Sequence, residues 1–361
     1  MSVTIRDVAR AASVSVATVS RVLNGKGPVR DETRRRIRRI ARRLSYVPHG
    51  AARSLITKRT STLGVLLPDL HGEFFSEVIR GMDVSARRHG FHLIVSSSHS
   101  DGRETEALLR AMRGRVDGLI VLSPDLGVRK LLSNRPAELP LVLLNCADHG
   151  SFDSIRIDNR GGALAMTRHL RSLGHRCIAF VGGPAGNHDA SERRRGYREA
   201  LRSAGSGRAT GLELPGDFRE ESGYRAADEI LRARPRPTAV FAANDAMAIG
   251  LLCAFRERRV QVPSEIALAG FDDIPIARFM TPSLSTVRVP IAELGSKATR
   301  RLLQLLTAPN GHPVRHETLA TTLVVRDSSG GSVRDVVSGV TPPSHRSGNR
   351  AFSPKRLATK R

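Results

Sequence analysis

An alternation of short apolar runs with amphipathic helical segments begins at Ser61 and restricts the fold of this chain more than any other feature. A first series runs from LGVLLPD to LPLVLLN, and a second of the same plan runs from GGALAMTRHLRSLGH to IALAGFDD. Uninterrupted apolar strands that alternate with helices are typical of parallel sheets covered by helices on both faces. The pattern predicts two successive α/β lobes within residues 61–326.

The ends of the apolar runs indicate where a small molecule would bind. Ligands of open α/β sheets lie beyond the carboxyl ends of the strands. Here those ends are LLPD, LLN, VGG, AAND and GFDD. We therefore expect a binding crevice between the lobes.

Positive charge is concentrated near the N-terminus. The 361 residues include 58 Lys and Arg against 34 Asp and Glu, a formal net charge of +24. Residues 1–60 carry +12 of this charge, residues 327–361 carry +5, and the long middle segment carries only +7. Because basic surfaces attract polyanions, polyanion binding is assigned first to the N-terminal segment.

The N-terminal segment has the spacing of a helix-turn-helix. After Thr4, an N-cap residue, apolar residues recur at helical spacing over 5–12. A break at 13–15 precedes VATVSRVLNG, in which Asn24-Gly25 is a helix stop signal. A third helix is predicted over 31–44, with its isoleucines facing inward and arginines covering the rest of its surface.

Membrane and secreted proteins are not indicated. No apolar stretch approaches the roughly 18 residues of a membrane span, and Arg6 and Asp7 stand where a secretory signal would be apolar. Cys146, Cys177 and Cys253 lie far apart in apolar runs, which favours buried free thiols over disulfides or metal ligands. We expect a cytoplasmic protein without a membrane partner.

The sequence contains none of the common catalytic motifs. The chain has no nucleophile elbow, zinc-protease motif or phosphate-binding loop, and Val181-Gly182-Gly183 does not complete a dinucleotide fingerprint. We expect no enzyme activity, no catalytic residues, no metal and no cofactor.

Two stretches carry a family resemblance. TIRDVARAASVSVATVSRVLNGKGPVRDETRRRI resembles the DNA-binding headpiece of the lactose-repressor (LacI/GalR) family of bacterial transcription regulators. IDNRGGALAMTRHLRSLGHRCIAFVGG and VPSEIALAGFDDIPIARFMTPSLSTV resemble its effector-binding core, which is similar to a periplasmic sugar-binding protein. The resemblance implies an α-helical helix-turn-helix headpiece joined to a two-lobed, periplasmic-binding-protein-like α/β core of parallel sheets flanked by helices.

The resemblance also implies a domain order. We expect a headpiece at 1–47, a hinge helix or linker at 48–60, and an effector-binding and dimerisation core at 61–326. Residues 327–361 are rich in Ser, Gly, Pro and Arg and have no leucine heptads, a composition that predicts a disordered basic tail. The first lobe would comprise about 61–160 and 290–320, and the second about 161–289 and 321–326.

For DNA contacts, the resemblance places the second helix in the major groove. Val16 and Ala17 would hold the specificity positions, and Arg21 would donate to guanine O6 and N7. In the hinge, Arg53 would track the minor groove and Leu55 would wedge a base step open. The expected phosphate or sugar contacts are Thr4, Ser15, Thr18, Ser20 and Asn24.

For the ligand, Arg193 occupies the arginine of the family's R-x-x-G-[YF] motif, and its guanidinium would bind vicinal hydroxyls or a carboxylate. Asp272 would accept two hydroxyl bonds, and Asn244 would donate and accept, whereas its neighbour Asp245 is expected to cap the following helix. The aromatic residues expected to stack on a ring are Phe75 and Phe218. A sugar is the first expectation, and a nucleobase, a sugar phosphate or no ligand remain alternatives.

The function implied is sequence-specific DNA binding. A homodimer on a palindromic operator, most simply a repressor, would be controlled by a small-molecule effector. Two other classes remain open: a sugar receptor without DNA activity, and a ligand-independent DNA-binding protein that uses charge alone.

Overall fold

The structure is a computed structural model. It describes residues 3–23, 25, 27–46, 59–99, 102–122, 139–146, 150–202, 210–307, 313–330 and the strand at 334–337.

The N-terminal segment forms a helical headpiece with its own small core. Local caps begin the first helices: the Thr4 backbone N–H donates to the Asp7 carboxylate at 2.9 Å, and the Ser15 hydroxyl accepts from the Thr18 N–H at 3.2 Å. Ser13, in the turn, has φ +50°, the left-handed conformation that favours glycine. The helices are α1 Ile5–Ala11, α2 Val16–Leu23 and α3 Asp31–Arg43. Their buried apolar residues are Val8, Ala9, Ala12, Val19, Val22, Ile37 and Ala41.

The first lobe is built on a parallel sheet of six strands in the order β11-β5-β4-β3-β1-β2. Its strands are β1 Thr62–Leu67, β2 His92–Ser97, β3 Gly118–Leu122, β4 Leu141–Leu144, β5 Asp153–Ile157 and β11 His316–Leu319. Its described helices are α4 Glu73–Arg88, α5 Gly102–Met112 and α10 Ile291–Thr307. β1, β3 and β4 are almost wholly buried, as uninterrupted apolar runs require.

The second lobe has a parallel sheet of four strands in the order β7-β6-β8-β9. Its strands are β6 Cys177–Val181, β7 Thr210–Leu214, β8 Ala239–Ala242 and β9 Ala267–Ala269. Its helices are α6 Asn159–Ser172, α7 His188–Arg202, α8 Glu220–Arg232 and α9 Asp245–Glu257. The described segments cross between the lobes where β5 leads into α6, before α10, and after β11. The architecture confirms the predicted fold class.

A third, antiparallel sheet corrects the expected start of the tail. Its strands, in the order β10-β12-β13, are β10 Thr286–Arg288, β12 Thr322–Val325 and β13 Arg334–Val337. Ser328 and Ser329 are buried, and the Ser328 hydroxyl donates to the Leu268 carbonyl at 2.6 Å. A disordered tail that begins at residue 327 is therefore wrong, because Ser328 and Ser329 are buried against the second lobe and β13 pairs with β12. Residues 338–361 lie outside the described part of the chain.

The helices pack in close pairs. Gly223 on α8 touches the backbone of Met247 on α9, and Gly250 on α9 touches the backbone of Glu220. Gly295 on α10 meets α4 in the same way. A side chain at these positions would push the helices apart, so the pairs behave as single packed layers.

The cysteines differ in exposure. Cys146 is buried as expected, but Cys177 is half-buried and Cys253 is exposed on α9, so the expectation of three buried thiols is wrong for these two. The apolar residues around Cys253 lie on the buried face of α9, whereas Cys253 lies on its exposed face. Within the described residues, no helix is both long and apolar enough to span a bilayer.

Candidate functional site

Helix α2 buries one face in the headpiece and exposes the other to solvent. Its apolar residues Val19 and Val22 are buried against the other headpiece helices, whereas Val16 is 41% exposed, and Ala17 and Arg21 are also exposed. The N-terminal end and one side of α2 are therefore open to a partner.

Three of the predicted phosphate-contacting residues lie at the start of α2 or along it. Ser15 and Thr18 share a hydroxyl hydrogen bond of 2.9 Å at the start of α2, and Ser20 is half-buried further along it. The Thr4 hydroxyl donates to Asp7 at 2.7 Å. Asn24, Arg53 and Leu55 lie outside the described residues, so their roles stay predictions.

A cavity of about 610 Å³ lies between the lobes, beyond the strand ends. Pro68 follows β1, Leu122 ends β3, and Pro184 follows β6. The structure brings together here the predicted ligand-binding residues Phe75, Arg193, Phe218, Asn244 and Asp272.

Arg193 on α7 is held inside the protein. Its Nε donates to Asn159 Oδ1 at 2.8 Å and its Nη1 donates to the Ala243 carbonyl at 2.6 Å. Its Nη2 lies 3.0 Å from Asp272 Oδ1, and Cζ lies 3.8 Å from the Phe271 ring centroid. Because a guanidinium has five N–H donors, about two remain for a ligand.

Asp272 occupies a strained position beside this arginine. Its φ is +114°, and the next residue, Asp273, has φ +56°. Oδ1 is buried and accepts no well-aligned hydrogen bond from the described residues, although Arg193 lies in ion-pair range. Burial raises the pKa of Asp272 to about 6, and the charge of Arg193 opposes that rise. A strained backbone and a buried carboxylate oxygen without a well-aligned hydrogen bond are typical of ligand-binding sites.

The helix cap lies at Asn244 and not at Asp245. Asn244 caps α9, since its Oδ1 accepts from the Met247 N–H at 3.0 Å and its Nδ2 donates to the Phe218 carbonyl at 2.8 Å. The expectation that Asp245 caps this helix is therefore wrong. Asp245 is fully buried, accepts from the Thr286 hydroxyl at 2.6 Å and from the Ile274 N–H at 2.9 Å, and burial raises its pKa well above the usual range.

Sequence reasoning missed a polar link between the lobes. Asn145, which follows β4 in the first lobe, donates to Asp189 Oδ2 at 3.0 Å in the second. Asn159 donates to Asp189 Oδ1 at 2.9 Å and accepts from Arg193. Asn145, Asn159 and Asp189 are buried, as is Arg193. No local pattern marks them, because Asp189 meets Asn145 only once the lobes are folded together.

The mouth of the cavity is also bridged. Arg219 lies 3.0 Å from Asp69, the Ile276 N–H donates to Glu73 at 3.0 Å, and His71 lies 3.9 Å from Glu220. Each pair joins residues of the first lobe to residues of the second. The rings of Phe74 and Phe75 meet edge to face with centroids 5.5 Å apart. The lobes are thus closed over an aromatic and carboxylate-rich space.

Two family models match the chain. The model of bacterial regulatory proteins of the lacI family matches residues 4–49, and the model of the periplasmic binding protein-like domain matches residues 167–329.

Solved and curated relatives cover most of the chain. The HTH-type transcriptional repressor PurR of Erwinia tasmaniensis is 36% identical over 339 residues, which span 92% of this chain and 98% of that protein. A lac repressor dimer bound to operator and an anti-inducer is 28% identical, with a TM-score of 0.82 over 91% of this chain and 99% of that one. A LacI family regulator of Enterococcus faecium with bound ribose is 28% identical, with a TM-score of 0.67 over 74% of this chain and 98% of that one.

Proposed function

The chain belongs to the lacI family of bacterial regulatory proteins, and from that premise we propose that it is a repressor that binds a palindromic operator as a homodimer under the control of a small ligand. Its curated relatives are transcriptional repressors. The proposal places its action on double-stranded DNA in the cytoplasm, at the nucleoid, and includes no catalytic step.

The exposed face of α2 is the observation that carries the proposal. A recognition helix must bury one face in its own domain and leave its first turns open to the groove. Val19 and Val22 meet the first requirement, and exposed Val16, Ala17 and Arg21 meet the second. The aliphatic side chains would read shape and thymine methyl groups, while Arg21 would donate to guanine.

The proposed homodimer rests on the number of recognition helices in one chain. One headpiece presents one recognition helix and can read one half-site, so a palindrome requires two copies. The relative solved on operator DNA is itself a dimer, which supports this assembly.

The cleft would supply the control. Closure of the lobes over an effector would change the spacing of the paired headpieces, with a coupling free energy of about 1 to 3 kcal/mol that acts in both directions. The ribose-bound relative supports a carbohydrate as the first class of ligand to test.

Selection of DNA sequences from a random pool, with the full chain as bait, tests the proposal. We expect an enriched palindrome, bound about a thousandfold or more tighter than random duplex at matched salt in fluorescence anisotropy. Equal affinity for both duplexes would instead assign the chain to charge-driven DNA binding. Absence of DNA binding with ligand binding intact would assign it to a receptor.

A further inference from the structure

The cavity between the lobes has an unbalanced charge. Among the described residues that line it, carboxylates outnumber guanidinium groups by six to two, and no lysine is among them. The carboxylates are Asp69, Glu73, Asp189, Asp217, Glu220 and Asp272.

Both guanidinium groups are already committed to protein partners. Arg193 faces Asp272 at 3.0 Å and donates to Asn159 and the Ala243 carbonyl. Arg219 faces Asp69 at 3.0 Å. A phosphate or carboxylate on a ligand would meet an arginine whose charge is already balanced by a protein carboxylate, and that carboxylate would repel it. The described lining therefore disfavours an anionic ligand.

Two carboxylates at the mouth have weak counter-charges. Glu73 accepts the Ile276 N–H at 3.0 Å and forms no ion pair with the described residues. Among the described residues, no Lys or Arg nitrogen lies within 4 Å of the Glu220 carboxylate, and the imidazole of His71 lies 3.9 Å from it. One carboxylate belongs to the first lobe and the other to the second, so a cation between them would hold the lobes together.

The aromatic lining suits the same kind of ligand. Phe74, Phe75 and Phe218 line the cavity, and the negative face of a benzene ring attracts ammonium groups as well as sugar C–H faces. Deeper in the cavity, the buried Asp272 Oδ1 accepts no well-aligned hydrogen bond from the described residues and can take a hydroxyl donor. Hydroxyl groups and an ammonium group would thus both find partners.

We propose that the ligand of this cleft is a small polyhydroxylated ammonium compound, an amino sugar in chemical class, with its ammonium group at Glu73 and Glu220 and its hydroxyls toward Arg193 and Asp272. The inference rests on the proposed effector role of the cleft. It excludes sugar phosphates and sugar acids and ranks neutral sugars below their amino counterparts.

Titration calorimetry on the full chain with matched probes tests this inference. The probes are glucosamine, glucose, N-acetylglucosamine and glucose 6-phosphate, with the galactose series in parallel so that one epimer does not decide the outcome. We expect the amines to bind about tenfold or more tighter than the neutral sugars, and the phosphates not to bind. Equal or tighter binding of a neutral or phosphorylated probe, or no binding of either amine, would overturn the inference.

Matched variants locate the ammonium group. Glu73→Gln and Glu220→Gln should each weaken the binding of an amine probe about tenfold more than the binding of a neutral sugar. Glu221→Gln is the control, because Glu221 follows Glu220 in the first turn of the same helix, is exposed and is not among the described lining residues. A uniform loss across charged and neutral probes would contradict the assignment.

Operator binding, measured on the same samples, separates the two proposals. If the chain binds DNA specifically but does not bind amino sugars more tightly than neutral sugars, only the proposed ligand class is overturned. If it prefers amino sugars but does not bind DNA specifically, only the proposed regulatory function is overturned.

Discussion

The headpiece and the cleft use arginine in opposite ways. Arg21 on α2 is exposed, and the described residues form no ion pair with it. Arg193 is only 4% exposed, and every nitrogen of its guanidinium has a protein neighbour. The first arrangement keeps donors free for a large partner that brings its own charges. The second is assembled before the ligand arrives, which reduces the entropy lost on binding.

The hydrophobic cores of the headpiece and of the second lobe also differ. The headpiece buries a small set of apolar residues, mostly valine and alanine. The second lobe buries Phe180, Tyr197 and Phe241, whose rings stack or tilt against one another within 5.4 Å. The headpiece should therefore be the less stable of the two regions, since small domains bury a smaller share of their surface.

Removal of Arg193 should have the largest effect on stability. Arg193→Ala leaves Asp272 buried without its cation, so we expect the core's free energy of unfolding to fall by about 3 to 5 kcal/mol. Urea unfolding followed by circular dichroism measures it. Arg194→Ala is the control, because Arg194 is exposed and its pair with Glu213 should contribute less than about 1 kcal/mol. Equal losses in the two variants would remove the contrast between buried and solvated arginines.

A core substitution in the headpiece tests its small stability margin. Ile37 is fully buried between the helices. Ile37→Ala should cost about 2 to 5 kcal/mol, enough to unfold the headpiece and abolish operator binding while ligand binding persists. Hydrogen exchange of α1–α3 measures the unfolding. Ile40→Ala, at a half-buried site, is the milder control. Retained operator affinity in Ile37→Ala would show that the headpiece is more stable than its small core suggests.

Arg21 should matter for specificity and not for stability. Arg21→Ala should relax discrimination at one G·C pair in each half-site by about 1 to 3 kcal/mol. Its free energy of unfolding should change by less than about 0.5 kcal/mol, because the side chain is exposed. Anisotropy with the selected operator and single-base variants measures the first quantity. An unchanged sequence preference would contradict the role of Arg21.

The smallest predicted effect is a pH dependence in the cleft. Since the pKa of Asp272 is raised from 3.8 to about 6, the folded state takes up a proton below pH 6 that the unfolded chain takes up only near pH 4. The contribution of Asp272 to stability therefore falls as pH rises through this window. Relative to Asp272→Asn, the native chain should lose on the order of 1 kcal/mol between pH 4 and pH 6. A constant difference between the two proteins across that range would contradict the raised pKa.

The headpiece was the more predictable region. Thr4 and Ser15 cap its first two helices, and capping could be predicted because it uses neighbouring residues. Helix α3 ends within a residue of the expected position. In the cleft, the strand ends predicted where the cavity lies, because parallel strands end at a common edge. The partners of Arg193 could not be predicted, since Asn159 and Ala243 are distant in sequence and meet it only through the fold.

The errors share a physical cause. Asn244 and Asp245 can both cap a helix, and the choice depends on Thr286, which binds Asp245 from a distant strand. Ser328 and Ser329 stand in a Ser- and Gly-rich stretch, yet contacts with the second lobe bury them. Composition describes what a segment does when alone, whereas these residues are placed by their neighbours.

The placement of β11 and α10 has a consequence for how the chain folds during synthesis. Both belong to the first lobe, yet they leave the ribosome after the whole of β6 to β9. Domains fold as they are synthesised, from the N-terminus onward. The headpiece can thus fold early, whereas the first lobe must wait with an unpaired β5 edge and an uncovered α4. A nascent chain can therefore complete its headpiece, with one face of α2 exposed, before the cleft between the lobes exists.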